Sequence, residues 1–257
     1  MKPSELFDLT GKVAVITGGA GGIGVVYGRA LCEAGASVAL ADLDGEAAEA
    51  EAAKIAADGF EAIGVELDVT DPVSATAMAA TVIDAFGGID ILVNNAAIMT
   101  DLPPYGLSNM PTQEFDRVMH VNVMGPMVCT QAVIDSMVSR GGGRVVNGLS
   151  AGAFIPGGIY SVSKLALHSL TANLAAELGP RGINVNAIAP GLVDNESGYV
   201  SLPKDSPVRS ALAATIPGKK QGPPSDLVGT LLLLCSKAGD WINGQSMLVD
   251  GGWIMRL

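Results

Sequence analysis

Lys12-Val13-Ala14-Val15-Ile16-Thr17-Gly18-Gly19-Ala20-Gly21-Gly22-Ile23-Gly24 decides the fold of this chain. A short β-branched run breaks into a glycine-rich turn, and Tyr27-Gly28-Arg29-Ala30-Leu31 continues at helical period. That order is strand, turn, helix. Glycines let backbone come close to a pyrophosphate, which then lies on the positive N-terminal end of the helix. Taken alone, such a turn serves equally well as an ordinary tight connection. A second strand, Ser37-Val38-Ala39-Leu40-Ala41, ends in Asp42, at the distance where dinucleotide-binding folds place the acid that binds the adenosine ribose. The spacing favours a dinucleotide.

Outward from this unit, strands and helices keep alternating. An Ala/Glu-rich helix over 46–57 leads to a third strand, Ala62 to Leu67, which stops at Asp68-Val69. Asp71 is placed to cap the next helix, with Pro72 in its first turn. Ile89 to Val93 is a fourth strand, closing in Asn94-Asn95-Ala96-Ala97. Met99 to Pro111 contains three prolines and no clear period, which predicts a loop able to wall a pocket. Thr112 to Ser139 is a long helical stretch with Asn122 and Gly125 midway, and Arg144 to Leu149 is a fifth strand ending at Ser150. A helix follows to about Leu178, then a sixth strand over 182–189 ended by Pro190-Gly191. The mixed, glycine- and proline-rich segment 191–224 is expected to be a mobile flap that sets substrate choice. An apolar helix, Asp226 to Lys237, and a last strand, Gln245 to Val249, complete the chain. The pattern predicts one α/β domain over 1–257: a Rossmann-type, doubly wound, roughly seven-stranded parallel sheet with helices on both faces.

Composition agrees with an extensive buried core, since 49% of the 257 residues are hydrophobic and 16% charged. Fifteen basic against 26 acidic residues, a net charge of -11, argue against nucleic acid or an anionic membrane as partner. Lys219-Lys220 is the only basic pair in its region. Cys32, Cys129 and Cys235 are odd in number and widely separated, so neither a disulfide framework nor a metal site is indicated. Met1 to Leu6 lacks the apolar core of a signal peptide and Leu231 to Leu234 is too short to span a bilayer, which predicts a cytoplasmic protein. Without a secretory signal, the glycosylation sequon Asn195-Glu196-Ser197 has no consequence.

The candidate chemistry lies between Ser150 and Lys164. Tyr160 and Lys164 are four residues apart on a predicted helix and so share one face. A phenol with an ordinary pKa of about 10 is a poor base near neutrality, and a neighbouring ammonium is expected to draw it down. Ser150, at a strand's C-terminal edge, would orient a carbonyl or hydroxyl while Tyr160 exchanges its proton. The pair alone reads equally as surface decoration. Gly148-Leu149-Ser150-Ala151-Gly152 also spells the nucleophile elbow of serine hydrolases, but Ile155-Pro156-Gly157-Gly158 interrupts the helix such an elbow needs. Only His120 and His168 are present to serve as its base.

The whole chain resembles the short-chain dehydrogenase/reductase family. Thr17-Gly18 through Gly22-Ile23-Gly24 looks like that family's cofactor turn, and Asn94-Asn95-Ala96-Ala97 resembles its Asn-Asn-Ala-Gly motif. Asn122, Ser150, Tyr160 and Lys164 fall where its catalytic tetrad falls, and Pro190-Gly191 and the Gly244-Gln245 to Gly252 ending also match. The resemblance implies a dinucleotide held by Gly18, Gly22, Ile23, Gly24, Asp42, Leu43, Asp68, Val69, Asn95, Ala96, Ala97, Pro190, Gly191 and Val193, with Tyr160 and Lys164 at the nicotinamide ribose. It further implies a secondary alcohol or ketone as substrate, with Met99, Leu102, Pro103, Phe154, Ile155, Leu192 and Val193 lining a mainly apolar pocket, and a homotetramer. NAD rather than NADP is expected, because Asp42 would repel a 2'-phosphate and Gly19, Ala20, Gly21, Leu43 and Asp44 offer no base to receive one. Three departures stand out. Ser150 lies only ten residues before Tyr160, the 99–111 loop is long, and Leu192-Val193-Asp194-Asn195 replaces the threonine the family often has there. A non-enzymatic dinucleotide sensor is the remaining alternative, although it would not need all four catalytic-type residues.

Overall fold

The computed structural model describes residues 2–195, 203–218 and 221–255. Glu196 and Ser197 of the sequon, Lys219-Lys220 and part of the 191–224 flap lie outside the described residues. Seven strands form one parallel sheet in the order β3-β2-β1-β4-β5-β6-β7. They are β1 Val13–Thr17, β2 Ser37–Asp42, β3 Ala62–Glu66, β4 Ile91–Asn94, β5 Gly143–Gly148, β6 Ile183–Pro190 and β7 Ser246–Val249. After a short turn α1 (Pro3–Leu6), the helices are α2 Gly22–Glu33, α3 Gly45–Ala57, α4 Pro72–Phe86, α5 Thr112–Met119, α6 Gly125–Ser139, α7 Gly158–Leu178, α8 Pro207–Thr215 and α9 Val228–Cys235.

Period-two alternation within each strand explains the two layers. Val13, Val15, Leu92, Val145 and Val185 face one way, into a core shared with Met78 and Val82 of α4 and Val133 and Met137 of α6. Ala14, Ile16, Val38, Leu40 and Val93 face the other way, onto Leu31 of α2, Ile55 of α3 and Leu231 of α9. Both faces are therefore covered, as a parallel sheet whose strands send apolar side chains to both sides requires. Asp71 caps its helix as the sequence predicts, its Oδ1 accepting the Val73 N–H (2.9 Å), and Asp44 caps α3 in the same way, its Oδ1 accepting the Ala47 N–H (3.0 Å).

Three expected elements are different in the structure. The 112–139 stretch is interrupted by a π turn, His120–Met124, in which the Gly125 N–H bonds the His120 carbonyl, five residues back. Pro126 is the cause: it has no N–H to offer the Asn122 carbonyl, so a regular ladder cannot run through this point. The flap is not a plain loop either. It contains α8, opened by Pro207 at its first position, and Val193 pairs with Gly222 in an isolated parallel bridge. The last apolar helix is shorter than expected, with 3₁₀ turns over Pro224–Leu227 and Lys237–Gly239 on either side of α9. Among the described residues no helix is long and apolar enough to cross a membrane.

Candidate active site

Strand order reverses between β1 and β4, and the C-terminal ends of these neighbours open the crevice where doubly wound sheets bind ligands. Thr17 ends β1, and its Oγ1 accepts the N–H groups of Asn95 and Ala96, each at 3.1 Å. Asn95 Nδ2 in turn donates to the Thr17 and Gly18 carbonyls at 3.2 and 3.0 Å. The glycine turn and the Asn94–Ala97 segment are thus one clamped unit.

This unit has the shape of a cradle. Gly18 has φ +63°, and a Cβ there would stand 2.9 Å from Ala96 Cα. A Cβ on Gly19 would stand 2.8 Å from Leu40 Cα, and one on Gly24 would run into the Gly18 carbonyl. Only glycine keeps the turn this flat against β2 and β4. Gly22 begins α2, and its N-cap Gly21 has no side chain to satisfy the first N–H groups, so they are left for an anion. Ile23 packs its side chain into the core beneath. The donor set and the lack of bulk fit a dinucleotide pyrophosphate.

At the far edge, Asp42 Oδ2 accepts the Ala20 N–H at 3.0 Å, which aims the carboxylate back across the turn. Capping of α3 falls to Asp44 and not to Asp42. Beside them an open hollow of about 800 Å³ is lined by Asp42, Leu43, Asp44, Gly45, Glu46, Glu49, Gly64 and Glu66. It carries carboxylates and no base. Asp68 follows β3, with Oδ1 bonded to the Thr70 N–H and hydroxyl at 2.8 and 2.7 Å, and Val69 is buried against Gly125. Ala97 is exposed, and Pro190 and Gly191 lie at the end of β6, where the Gly191 N–H bonds the Val249 carbonyl at 3.0 Å.

The four catalytic-type residues gather at the C-terminal end of β5. Ser150 opens a 3₁₀ turn, Ala151–Phe154, that accounts for the short spacing to Tyr160. Its Oγ accepts the Gly152 N–H at 3.0 Å and favours the ionised form of the neighbouring Tyr160 hydroxyl. Tyr160 is the third residue of α7, within reach of the positive end of the helix dipole. Lys164, one turn on, is buried and donates to the Gly148 carbonyl at 2.6 Å. Asn122 is buried in the π turn; its Oδ1 accepts the Ile98 N–H at 2.7 Å and its Nδ2 donates to the Ile98 carbonyl at 3.1 Å and to Ser163 Oγ at 3.0 Å. Ser163, which the sequence reading passed over, donates to the Tyr160 carbonyl at 2.8 Å and so links Asn122 to the tyrosine's own backbone. Its position directly before Lys164 on the buried side of α7 is the signal that could have found it.

One expectation is corrected here. Lys164 was expected to draw the Tyr160 pKa down, yet burial pushes the phenol up to about 12, and the Ser150 hydroxyl is what pulls against it. Lys164 Nζ stands 5.7 Å from the tyrosine ring centroid, turned to Gly148. Burial also lowers Lys164 itself, to about 8. Desolvation disfavours both charged forms and dominates at this distance.

The hydrolase alternative loses its base. His168 Nδ1 pairs with Ser246 Oγ at 2.8 Å and the ring packs edge-on to Phe154, while His120 Nδ1 pairs with the Asp116 carbonyl. Met99, Leu102, Pro103, Phe154, Ile155, Leu192 and Val193 are all half-buried.

A family model described as enoyl-(acyl carrier protein) reductase matches residues 18–254, and an oxidoreductase of Mycobacterium tuberculosis is 44% identical over 251 residues, 98% of this chain and all of that protein. A short-chain type dehydrogenase/reductase from Mycobacterium marinum superposes over the whole of both chains with a TM-score of 0.89 at 35% identity. This chain belongs to the short-chain dehydrogenase/reductase family. A sorbitol dehydrogenase of Cereibacter sphaeroides is 39% identical over 259 residues, 95% of this chain and 98% of that protein. Among solved short-chain dehydrogenases, a 7α-hydroxysteroid dehydrogenase complexed with NADH and 7-oxo glycochenodeoxycholic acid gives a TM-score of 0.92 at 32% identity over all of both chains. A Burkholderia cenocepacia gluconate 5-dehydrogenase complexed with NADP and tartrate gives 0.91 at 32% identity over 98% of each.

Proposed function

We propose that this short-chain dehydrogenase/reductase moves a hydride between NAD(H) and a secondary alcohol or ketone, with Tyr160 as the general acid/base. The observation that carries this is the Ser150–Tyr160 hydroxyl pair at the first turn of α7, backed by buried Lys164 at the same sheet edge. Bound across the switch point, the cofactor supplies the hydride acceptor and a cationic ring. Ser150 holds the substrate oxygen; Tyr160 takes the hydroxyl proton of an alcohol once it is ionised, and as the phenol it gives its proton to the oxygen of a ketone. Lys164, charged below about pH 8, adds a cation beneath the phenol and offers donors to a ribose. Asn122 holds the loop after β4 and the Tyr160 turn in register through Ile98 and Ser163, and the π turn around it is proposed to support a water that leads protons out.

NAD is preferred over NADP on the same terms. At about 5 Å and an effective dielectric of about 20, each like-charge pair between Asp42 and a 2'-phosphate costs on the order of 3 kcal/mol before screening. The carboxylates around the hollow beside it add to that repulsion. Sorbitol dehydrogenase among the relatives supports an alcohol substrate, and the half-buried apolar side chains support a substrate without a required charge. The single unit is proposed to assemble as a homotetramer in the cytoplasm; exposed Phe115, Met124, Val162 and Leu165 on and beside α5 and α7 support the first, and three free buried cysteines the second.

The test is a panel of sorbitol, galactitol, 2-butanol and cyclohexanol with NAD and with NADP, run for the wild type, Tyr160→Phe and Asp42→Ala. Wild type is expected to use NAD at least about tenfold better, Asp42→Ala to shrink that ratio, and Tyr160→Phe to lose about 10²- to 10⁴-fold in turnover. Turnover retained in Tyr160→Phe would remove the tyrosine from the mechanism.

A further inference from the structure

Arg209 on α8 is 0% exposed, the largest fully buried side chain of the described residues. A buried guanidinium is costly unless its donors are met, so its partners show what it holds. Nε and Nη2 converge on Gln221 Oε1 at 2.9 and 2.6 Å, and Nη2 also donates to the Val193 carbonyl at 3.0 Å. Three separate pieces of chain meet at this one group: the segment leaving β6, helix α8, and the segment returning toward α9.

The first and last of these are already paired. The Asp194 N–H donates to the Gly222 carbonyl at 2.9 Å and the Gly222 N–H to the Leu192 carbonyl at 3.2 Å. The returning leg is pinned further by the Gly218 N–H on the Gly251 carbonyl at 3.0 Å. Asn195 then leans over the glycine turn, its Nδ2 3.2 Å from where a Cβ on Gly22 would stand. The root of the flap therefore arches from the end of β6 to the start of α2, across the crevice.

Its place relative to the sheet decides which end of the cofactor it serves. Asp42 lies at the end of β2, on one side of β1, whereas Ser150 follows β5 and Val193 follows β6, on the other. The adenosine end belongs to the first side and the reacting end to the second. Resting on the cofactor reading above, we propose that Arg209 is a positioning residue: by tying Val193 to Gln221 it fixes the flap root over the nicotinamide end of the site. Lysine would be a poorer replacement, because Nη2 alone reaches both acceptors but Nε adds a second bond to Gln221 Oε1 that a single ammonium on a flexible stem does not supply.

The experiment compares the affinities of NADH and of ADP-ribose, which shares the adenosine and pyrophosphate but lacks the nicotinamide, by titration calorimetry on the full chain. Arg209→Met is expected to weaken NADH about tenfold while ADP-ribose stays within about twofold, as loss of contacts at one end requires. Gln221→Glu keeps an acceptor for the guanidinium and is expected to leave both within about twofold. If Arg209→Met does not unfold cooperatively, Gln221→Leu removes the shared acceptor instead, with a loss of about threefold or more expected for NADH alone. Equal weakening of both ligands, or no change in either, overturns the inference. Wild-type protein that binds neither ligand overturns the cofactor reading and this inference together, whereas the variant-specific outcomes leave the cofactor reading standing.

Discussion

Tyr160 and Lys164 are each pushed by burial toward their neutral forms, and the two shifts act on stability with opposite signs. Lys164 titrates at about 8 in the folded chain against an ordinary 10.5. Between those values the unfolded chain binds more protons at this residue, so its contribution to stability rises with pH across that window, by roughly 3 kcal/mol in all. Tyr160, raised from 10.0 to about 12, gives the reverse: the folded chain binds more protons between those values, and stability falls as pH climbs through them. Lys164→Met should abolish the rise between pH 8 and 10.5, read as the pH dependence of the urea midpoint, while costing little at pH 7. A rise that persists in the variant would assign it to other groups. The same substitution should cut turnover, since a residue kept at a cost to stability is the kind that works at a site.

At the level of single elements, close packing depends on a few glycines. A Cβ on Gly64 of β3 would run into the Glu49 and Ala48 backbone of α3, which leaves no flexible side chain to yield. Gly64→Ala should therefore destabilise by about 1–3 kcal/mol, seen as a lower urea midpoint with unchanged slope, and a neutral outcome would show that α3 slides freely on the sheet. All seven strands and most helices were legible in the sequence to within a residue or two, because apolar runs bounded by Gly, Pro and Asn carry their own punctuation. The clustering of Ser150, Tyr160, Lys164 and Asn122 was legible from motif order. Less visible was the π turn at His120–Met124, whose one signal is Pro126 four residues after Asn122. Helix α8 was hidden by the glycines and prolines around it, although Ser206-Pro207 marks its start. The Tyr160 pKa was out of reach for a different reason. Spacing shows that a lysine is near, but not which carbonyl it chooses or how much water is excluded.

For the molecule as a whole, the N-terminal edge of the sheet, opposite the candidate site, is pinned by one carboxylate. Asp90, its side chain 4% exposed, accepts from Lys12 Nζ at 3.0 Å, the Val13 N–H at 2.9 Å and Arg140 Nε at 2.9 Å. Burial alone would raise its pKa, but the bonds from Arg140, Lys12 and Val13 outweigh this and hold the carboxyl below its ordinary range. That contribution is present above the ordinary carboxylate pKa and is lost as pH falls through the depressed folded value. Asp90→Asn should cost on the order of 3 kcal/mol at pH 7 and leave less to lose in acid, measured as the difference in unfolding free energy between pH 7 and pH 3. An unchanged difference would show that Asp90 does not carry the acid response.

The clamp between Thr17, Gly18, Asn95 and Ala96 joins residues 77 to 79 positions apart in the chain. Nothing local holds those groups together, so the pyrophosphate cradle is completed only after β4 has inserted beside β1, with α2, β2, α3, β3 and α4 already looped out between them. Closing so long a loop is an entropic toll met late in folding. A nascent or partly folded chain therefore has no means of gripping a dinucleotide, which cannot act as a template for folding. Its influence falls on the other rate: a dinucleotide that binds the native state alone is expected to slow unfolding, read as a lower unfolding rate in urea with NADH present than without it.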